Sequence, residues 1–306
     1  MVSGQAVSET APREGLAPIR DRILSFAVPA RDVRGRVIRL DASITAILAA
    51  HDYAPALAQL LGEALVVTAM LGATLRENGG GLTLQAQSNG PVSLLVCDYN
   101  AGQLRGYLRG DPETPAGDLA TMFGTGHLAI TLDPTDASER YQGIVPLEGD
   151  SISDAIEQYF RSSEQLPTLI RTAVAGNTVT GYSAGGLMLQ YLPRGEEGRA
   201  RLFAEDDGAP EPEDWQHMRM LASTASADEL NSPELSEEAL LWRLFHEEEV
   251  QLTPGPTPTR GCRCSLAHIK DVIERFPETE RAEMRGDDGM IGVDCQFCAR
   301  VWRIAA

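Results

Sequence analysis

Residues 82–98 read LTLQAQSNGPVSLLVCD; within them Leu82 to Ser88 and Val92 to Asp98 alternate apolar and polar side chains around Asn89-Gly90. A period of two places every second side chain on one face of a strand. Asn-Gly is a strong short hairpin signal, because both residues tolerate positive φ. The next run, Leu104 to Leu108, predicts a third strand and so a meander. A sheet joined by short turns leaves its helices segregated, which is the α+β class.

The same reading extends outward. Upstream, Arg22 to Val28 and Gly35 to Leu40 are strand-like, and Asp41 is placed to cap a short helix through Ala50. Ala54 to Leu75 reads as a long helix, apolar on nearly every face. It approaches membrane-spanning length, but Gln59 and Glu63 interrupt it and no basic cluster flanks it, so a buried core helix is expected. Downstream, His127 to Leu132 is a strand stopped by Pro134, and Ser151 with Asp154 resembles a capping box opening a helix to about Ser163. Ile170 to Val174 and Thr178 to Leu192 add strands. These elements predict a mixed sheet-and-helix domain over residues 17–194. Residues 1–16 lack the basic start and apolar run of a secretory signal and read as a disordered tail. A cytoplasmic chain is expected, where clustered cysteines point to metal or redox chemistry more than to structural disulfides.

Composition shifts after that domain. Between Glu196 and Val250 there are sixteen Asp or Glu against four Arg, which accounts for most of the chain's net charge of −18. Such a balance excludes a phosphate backbone as a natural partner, since that affinity rests on Lys and Arg displacing counterions. Trp215 with Met218, and Leu241 with Leu244 and Phe245, lie at helical spacing, and Ser232-Pro233 reads as a helix start. Residues 195–253 are thus expected to form an acidic helical linker whose apolar stripe docks on a neighbour. Pro254, Pro256 and Pro258 read as a stiff connector to a last module, residues 254–306.

That module holds four of the five cysteines, as Cys262-Arg263-Cys264 and Cys295-Gln296-Phe297-Cys298. Two short cysteine pairs provide the four tetrahedral sulfur ligands that zinc prefers. Ligands Cys262, Cys264, Cys295 and Cys298 would bind one zinc ion per chain, and a tail this small would then fold only with its metal. The same sulfurs, held as thiolates, are what peroxide or hypochlorous acid attacks. Arg260, Arg263, Arg300 and Arg303 lie nearby to balance the charge. His268 is a possible substitute ligand, but four cysteines already fill the shell; Cys97, inside an apolar run, reads as core. Gly181-Tyr182-Ser183-Ala184-Gly185 matches the serine-hydrolase pattern, yet Pro193 leaves too little room for the helix that must follow. Gly124-Thr125-Gly126 imitates a dinucleotide fingerprint but precedes a strand, so it reads as a turn.

With these residues in view, the chain resembles the heat-shock protein 33 family from about Arg22 to Ile304. The likeness rests on the spacing C-x-C, 31 positions from Cys264 to Cys295, then C-x-x-C. It also rests on Leu61-Gly62-Glu63-Ala64, Gln87 to Pro91, Tyr141 to Leu147, Ser163 to Thr168, and Gly185-Gly186 through Pro193. The resemblance implies a redox-regulated, ATP-independent holdase rather than an enzyme, idle while reduced and zinc-bound. It further implies redox-active disulfides Cys262–Cys264 and Cys295–Cys298, zinc release, loosening of the linker, binding of unfolded or oxidatively damaged client proteins, and an active homodimer, with no nucleic acid or membrane partner. Two other readings stand beside it: a thiol oxidoreductase using Cys295 and Cys298, and a constitutive binding protein with a structural zinc knuckle. The oxidoreductase needs its C-x-x-C at a helix N-terminus in a thioredoxin-like unit, which is not readable around Val293 to Trp302.

Overall fold

From Ala184 to Tyr191 every residue of one strand is buried, although its neighbours in sequence alternate. A strand covered on both faces needs a layer on each side, and this one has them. The computed structural model describes residues 5–6, 21–74, 80–133, 140–192 and 211–305. The fold is α+β. The core elements are β1 (Gln5–Ala6), β2 (Arg22–Val28), β3 (Val33–Leu40), α1 (Ala42–Leu48), α2 (Pro55–Gly72), β4 (Gly81–Ser88), β5 (Val92–Asn100) and β6 (Gln103–Gly110). They continue with α3 (Leu119–Phe123), β7 (Gly126–Asp133), β8 (Tyr141–Pro146), α4 (Ile152–Ser162), β9 (Thr168–Asn177) and the doubly buried β10 (Gly181–Tyr191). Beyond them lie α5 (Glu213–Ser223), α6 (Ala227–Asn231), α7 (Glu237–Phe245), β11 (Gln251–Pro254), β12 (Thr259–Arg260), α8 (Leu266–Glu274), α9 (Glu278–Glu283), β13 (Met290–Asp294) and β14 (Val301–Ala305).

The first sheet has the order β1-β11-β2-β3-β10-β9 and the second β12-β6-β5-β4-β7-β8. Helix α2 lies between them, and its buried residues join Ile23, Ile38, Ala184 and Met188 of one sheet to Leu84, Leu95, Cys97 and Ile130 of the other in a single core. The expected core helix is therefore real: α2 is long and apolar enough to cross a membrane, and 78% of it is buried inside the protein. The charged interruption has a use. Glu63 Oε1 accepts from the amide and hydroxyl of Ser153 at 2.9 and 2.7 Å, at the start of α4. Burial pushes this carboxyl above its ordinary range, partly offset by those bonds.

The opposite face of the first sheet, carrying Leu24, Phe26, Val28, Val37, Leu187 and Leu189, forms a second core with Trp215, Met218, Leu240, Leu241 and Phe245 of α5 and α7. Alternation along β10 assigns Gly185 and Leu187 to that face and Gly186 and Met188 to α2. The glycine pair has one reason per face. A Cβ on Gly185 would stand 2.0 Å from the Leu230 carbonyl oxygen of α6, and one on Gly186 would stand 2.5 Å from Val66 Cγ1 of α2. Ser183 lies mid-strand in β10, without the turn and helix a hydrolase nucleophile requires.

Three local expectations are corrected. Asp41 precedes α1 without a capping hydrogen bond from its side chain. Asp21 does that work from a distance, accepting from Asp41 N, Ser43 N and Ser43 Oγ at 2.9, 3.1 and 2.6 Å. Neither Asn89 nor Gly90 has positive φ, and the β5–β6 register shifts between Val92 and Leu94. Gly90 is needed because a Cβ there would meet the Phe123 carbonyl carbon at 2.2 Å. Ser232 ends α6 instead of opening a helix; Ser236 caps α7, and Ser226 with Glu229 forms the capping box of α6. The disulfide-free core cysteine, Cys97, is fully buried, and burial raises its thiol pKa. The tail expected over 1–16, apart from the strand Gln5–Ala6, lies outside the described residues, as do Pro134 and 193–210 of the acidic segment.

Candidate metal centre

The segment 251–261 is not a free spacer. β11 adds antiparallel to β2 at the edge of the first sheet, and β12 adds parallel to β6 at the edge of the second. Gly255 N donates to Ile23 O at 2.9 Å, and Thr259 N and Gly261 N donate to Gly102 O and Leu104 O at 2.8 and 2.9 Å. Cys262 and Cys264 follow at once. Ser265 then caps α8 by accepting from His268 N at 3.1 Å, so the histidine backbone belongs to the helix start. Cys295 and Cys298 lie in the turn of the β13–β14 hairpin, where Cys295 N donates to Arg300 O at 3.0 Å and Cys295 O accepts from Ala299 N at 2.8 Å. Ala299 sits at φ 54°, the left-handed value that closes the turn.

These two stretches bring the four sulfurs together. Cys262 Sγ is 3.2 Å from Cys264 Sγ and 3.5 Å from Cys295 Sγ, and Cys264 Sγ is 3.5 Å from Cys298 Sγ. All four lie within 4.8 Å of one another and are free and half-buried. A tetrahedral ion with metal–sulfur bonds of about 2.3 Å has sulfur–sulfur edges of about 3.8 Å, so the quartet suits a thiophilic metal ion. His268 is not part of the cluster. Among the cysteines, burial opposes ionisation of Cys295, but the Cys262 thiol and the amides of Cys298 and Phe297 bring its pKa down to about 7. Burial pushes Cys262 up to about 12 and raises Cys298 as well.

Two core residues that sequence reading missed hold the cysteine turn. The Arg105 guanidinium lies 4.0 Å over the Phe297 ring; Asp98 on β5 accepts from that arginine, and Thr83 on β4 donates in turn to Asp98. His51 Nε2 donates to Gln296 O at 2.7 Å, its ring tilted against those of Tyr53 and Tyr107. A cation–π contact of this kind contributes about 0.5–2 kcal/mol. The expected ring of arginines is only partly used for charge balance: Arg303 pairs with Asp288 at 2.6 Å, and Arg300 lies 5.1 Å over Trp302. No local pattern marks Arg105 or His51, because their partners are about 190 and 245 positions away.

The linker is gripped by arginines as well as by its apolar stripe. Arg39, almost fully buried, donates to the carbonyls of Leu235 and Leu230 at 2.7 and 3.1 Å. Arg31 pairs with Asp214 and Glu248, and Arg22 with Glu238 at 2.6 Å. One acid is placed badly. Glu237 is 1% exposed, neither of its carboxylate oxygens has a hydrogen-bond partner among the described residues, and Arg22 stands 3.7 Å away. Burial raises its pKa.

Fold and centre together define a class: a two-sheet core, a helical cover on one sheet, and a small cysteine-rich module able to hold a metal. The sequence profile described as "Hsp33 protein" matches residues 21–305. A 33 kDa chaperonin of Caulobacter vibrioides is 38% identical over 97% of this chain and 98% of its own length. One from Shewanella frigidimarina is 39% identical over 87% of this chain and 86% of its own. The crystal structure of the 33 kDa chaperonin (heat shock protein 33 homolog) from Thermotoga maritima superposes with a TM-score of 0.76 at 21% identity, over 93% of this chain and 95% of that one. The chain belongs to the Hsp33 family.

Proposed function

We propose that this chain is a redox-regulated, ATP-independent holdase chaperone that prevents aggregation of unfolding proteins under oxidative stress. Cys262, Cys264, Cys295 and Cys298 hold one zinc ion in the reduced state, which supplies a four-point cross-link to a module with little core of its own. Oxidation removes those ligands. Peroxide converts one thiolate of a pair to a sulfenic acid; the partner sulfur attacks it, a disulfide forms and water leaves. Two such events, Cys262 with Cys264 and Cys295 with Cys298, consume two equivalents of oxidant. The module then unfolds, and the Phe297 and Gln296 contacts to the core go with it.

The observation that carries this reading is the second core. Half of its side chains come from the linker and half from the outer face of the first sheet, so one undocking uncovers both as apolar surface. Clients bind there, acidic charge keeps the assembly dispersed, and the active form is a cytoplasmic homodimer. The chain acts by binding and not by catalysis. The C-x-x-C turn lies between two strands, without the helix N-terminus that activates an oxidoreductase thiol.

The test is a parallel measurement of zinc release and of client aggregation after hypochlorous acid, in the wild type, Cys262→Ser and Cys298→Ser. Holding that appears only as zinc leaves supports the switch. Equal holding before and after oxidation assigns the chain to constitutive binding, and turnover of a dithiol substrate assigns it to oxidoreduction.

A further inference from the structure

β11 is held to the sheet in an unusual way. Of its four residues, Leu252 alone is partly buried, packed beside the second core; the other three are exposed. The strand stays in place through its backbone. Ile23 O accepts from Gly255 N, so the carbonyls and amides of Ile23, Ser25 and Ala27 face this edge, while Leu24 and Phe26 face β3. Pro254 stands opposite Leu24, a position where no amide is required. Gln5–Ala6 adds outside β11 in the same way. This edge therefore accepts extended chain with almost no demand on side-chain identity.

We infer that β11 is an internal stand-in for client, and that the activated protein captures an extended segment of an unfolded polypeptide as a new strand on β2. This inference rests on the holdase reading and adds the mode of binding. β11 ends eight residues before Cys262, and β12 ends two residues before it, so a module that unfolds loses the anchor for both strands. An open edge next to an apolar face is a template for strand addition. A client strand there forms the backbone bonds that β11 gave up. It also lays every second side chain where Leu252 lies now, against the face of Leu24 and Phe26 left bare by α7. Backbone pairing admits segments of unrelated sequence, and the alternation states their chemistry: extended, with apolar residues at alternate positions.

The experiment is amide hydrogen exchange of residues 22–28 in the full-length chain, reduced, oxidised, and oxidised with a chemically unfolded client. Exchange is expected to quicken about tenfold or more on oxidation as the edge opens, and to slow again by a similar factor when client is added. A Ser25→Pro variant removes an edge-facing amide and leaves the β2–β3 ladder its donors. Its zinc release should match the wild type, while the chain-to-client ratio needed for half suppression rises about fivefold, the effect of one lost backbone bond. Client held with 22–28 still open overturns the inference alone. Exchange that slows as chain concentration rises, in the absence of client, gives the edge to a second copy and also overturns it. An oxidised wild type that holds no client overturns the holdase reading and this inference with it.

Discussion

Helix α2 and the cysteine module make opposite bargains with water. Around α2, Leu61, Ala64, Leu65, Val66 and Val67 are wholly buried, and two sheets close over them. In the module, the buried apolar cluster is Ile269, Ile273, Ile291 and Ile304, with Cys264, Val293 and Trp302 partly buried beside it. Leu266, Val272, Phe276, Met284 and Val301 stay exposed. Four isoleucines cannot offset the conformational entropy of a segment that small, and domains of this size lean on metals or disulfides instead. The linker stands between the extremes: its stripe is well buried, but it is short, acidic and carries a buried carboxylate, Glu237, held among the described residues only by a 3.7 Å ion pair to Arg22. Stability thus falls in steps from core to linker to module, and a chemical event at the weakest step can travel inward.

Removing the metal breaks the comparison most severely. Chelation from the reduced chain should unfold the module outright, because such sites supply on the order of 10–16 kcal/mol. Resonances of residues 262–305 should collapse to random-coil positions while those of α2 stay. A module that keeps its dispersion without metal has a core sufficient to fold it, contrary to its small isoleucine cluster. At the other end, Leu65→Ala should cost the core about 2–5 kcal/mol as a cavity opens, lowering the melting temperature of the core with no change in metal affinity.

Between them, Gly185→Ala should wedge the linker off the sheet. Its Cβ has no room beside the Leu230 carbonyl, so about 1–3 kcal/mol of docking is lost. Proteolysis within 213–245 of the reduced chain should speed up, and holding should begin without oxidant. Glu237→Gln acts the other way, strengthening docking by about 1–3 kcal/mol at neutral pH by removing a buried charge. The sign follows from its raised pKa. In the wild type the protonated form favours docking, so that stability is full below the ordinary carboxylate range and lost as pH rises through the raised folded value. Linker exchange measured from pH 5 to 7.5 should quicken with pH in the wild type beyond what intrinsic exchange explains, and less in the variant. The smallest effect is at the turn. Ala299→Gly should stabilise the metal-bound module by about 1 kcal/mol, since glycine takes φ 54° without a Cβ penalty. A chelator competition at equilibrium reads it directly.

Much of this was legible in the linear chain. The strands of the meander, the helix start at Ser151, the core status of Cys97 and the pairing of C-x-C with C-x-x-C all depend on neighbours a few residues apart. Local spacing determines period, caps and ligand bite, so those readings needed no fold. The misreadings have the opposite character. Asp21 displaced Asp41 because a carboxylate twenty positions away reaches the same amides. Gly90 reads locally as a turn residue, whereas its reason is the backbone of Phe123 pressed against it. Ser236 displaced Ser232-Pro233 because the docked path of the linker, set by Arg39 and Gly185, decides where α7 begins.

By itself, then, the sequence determined the secondary-structure periods, the charge of the linker and the four sulfurs able to bind one metal, since each follows from chemistry within a short window. Only tertiary structure decided that the linker shares a core with the sheet, that 251–261 stitches both sheets, and that Arg105 and His51 clasp the cysteine turn. Those facts depend on which surfaces meet, and surfaces meet only after the chain has folded.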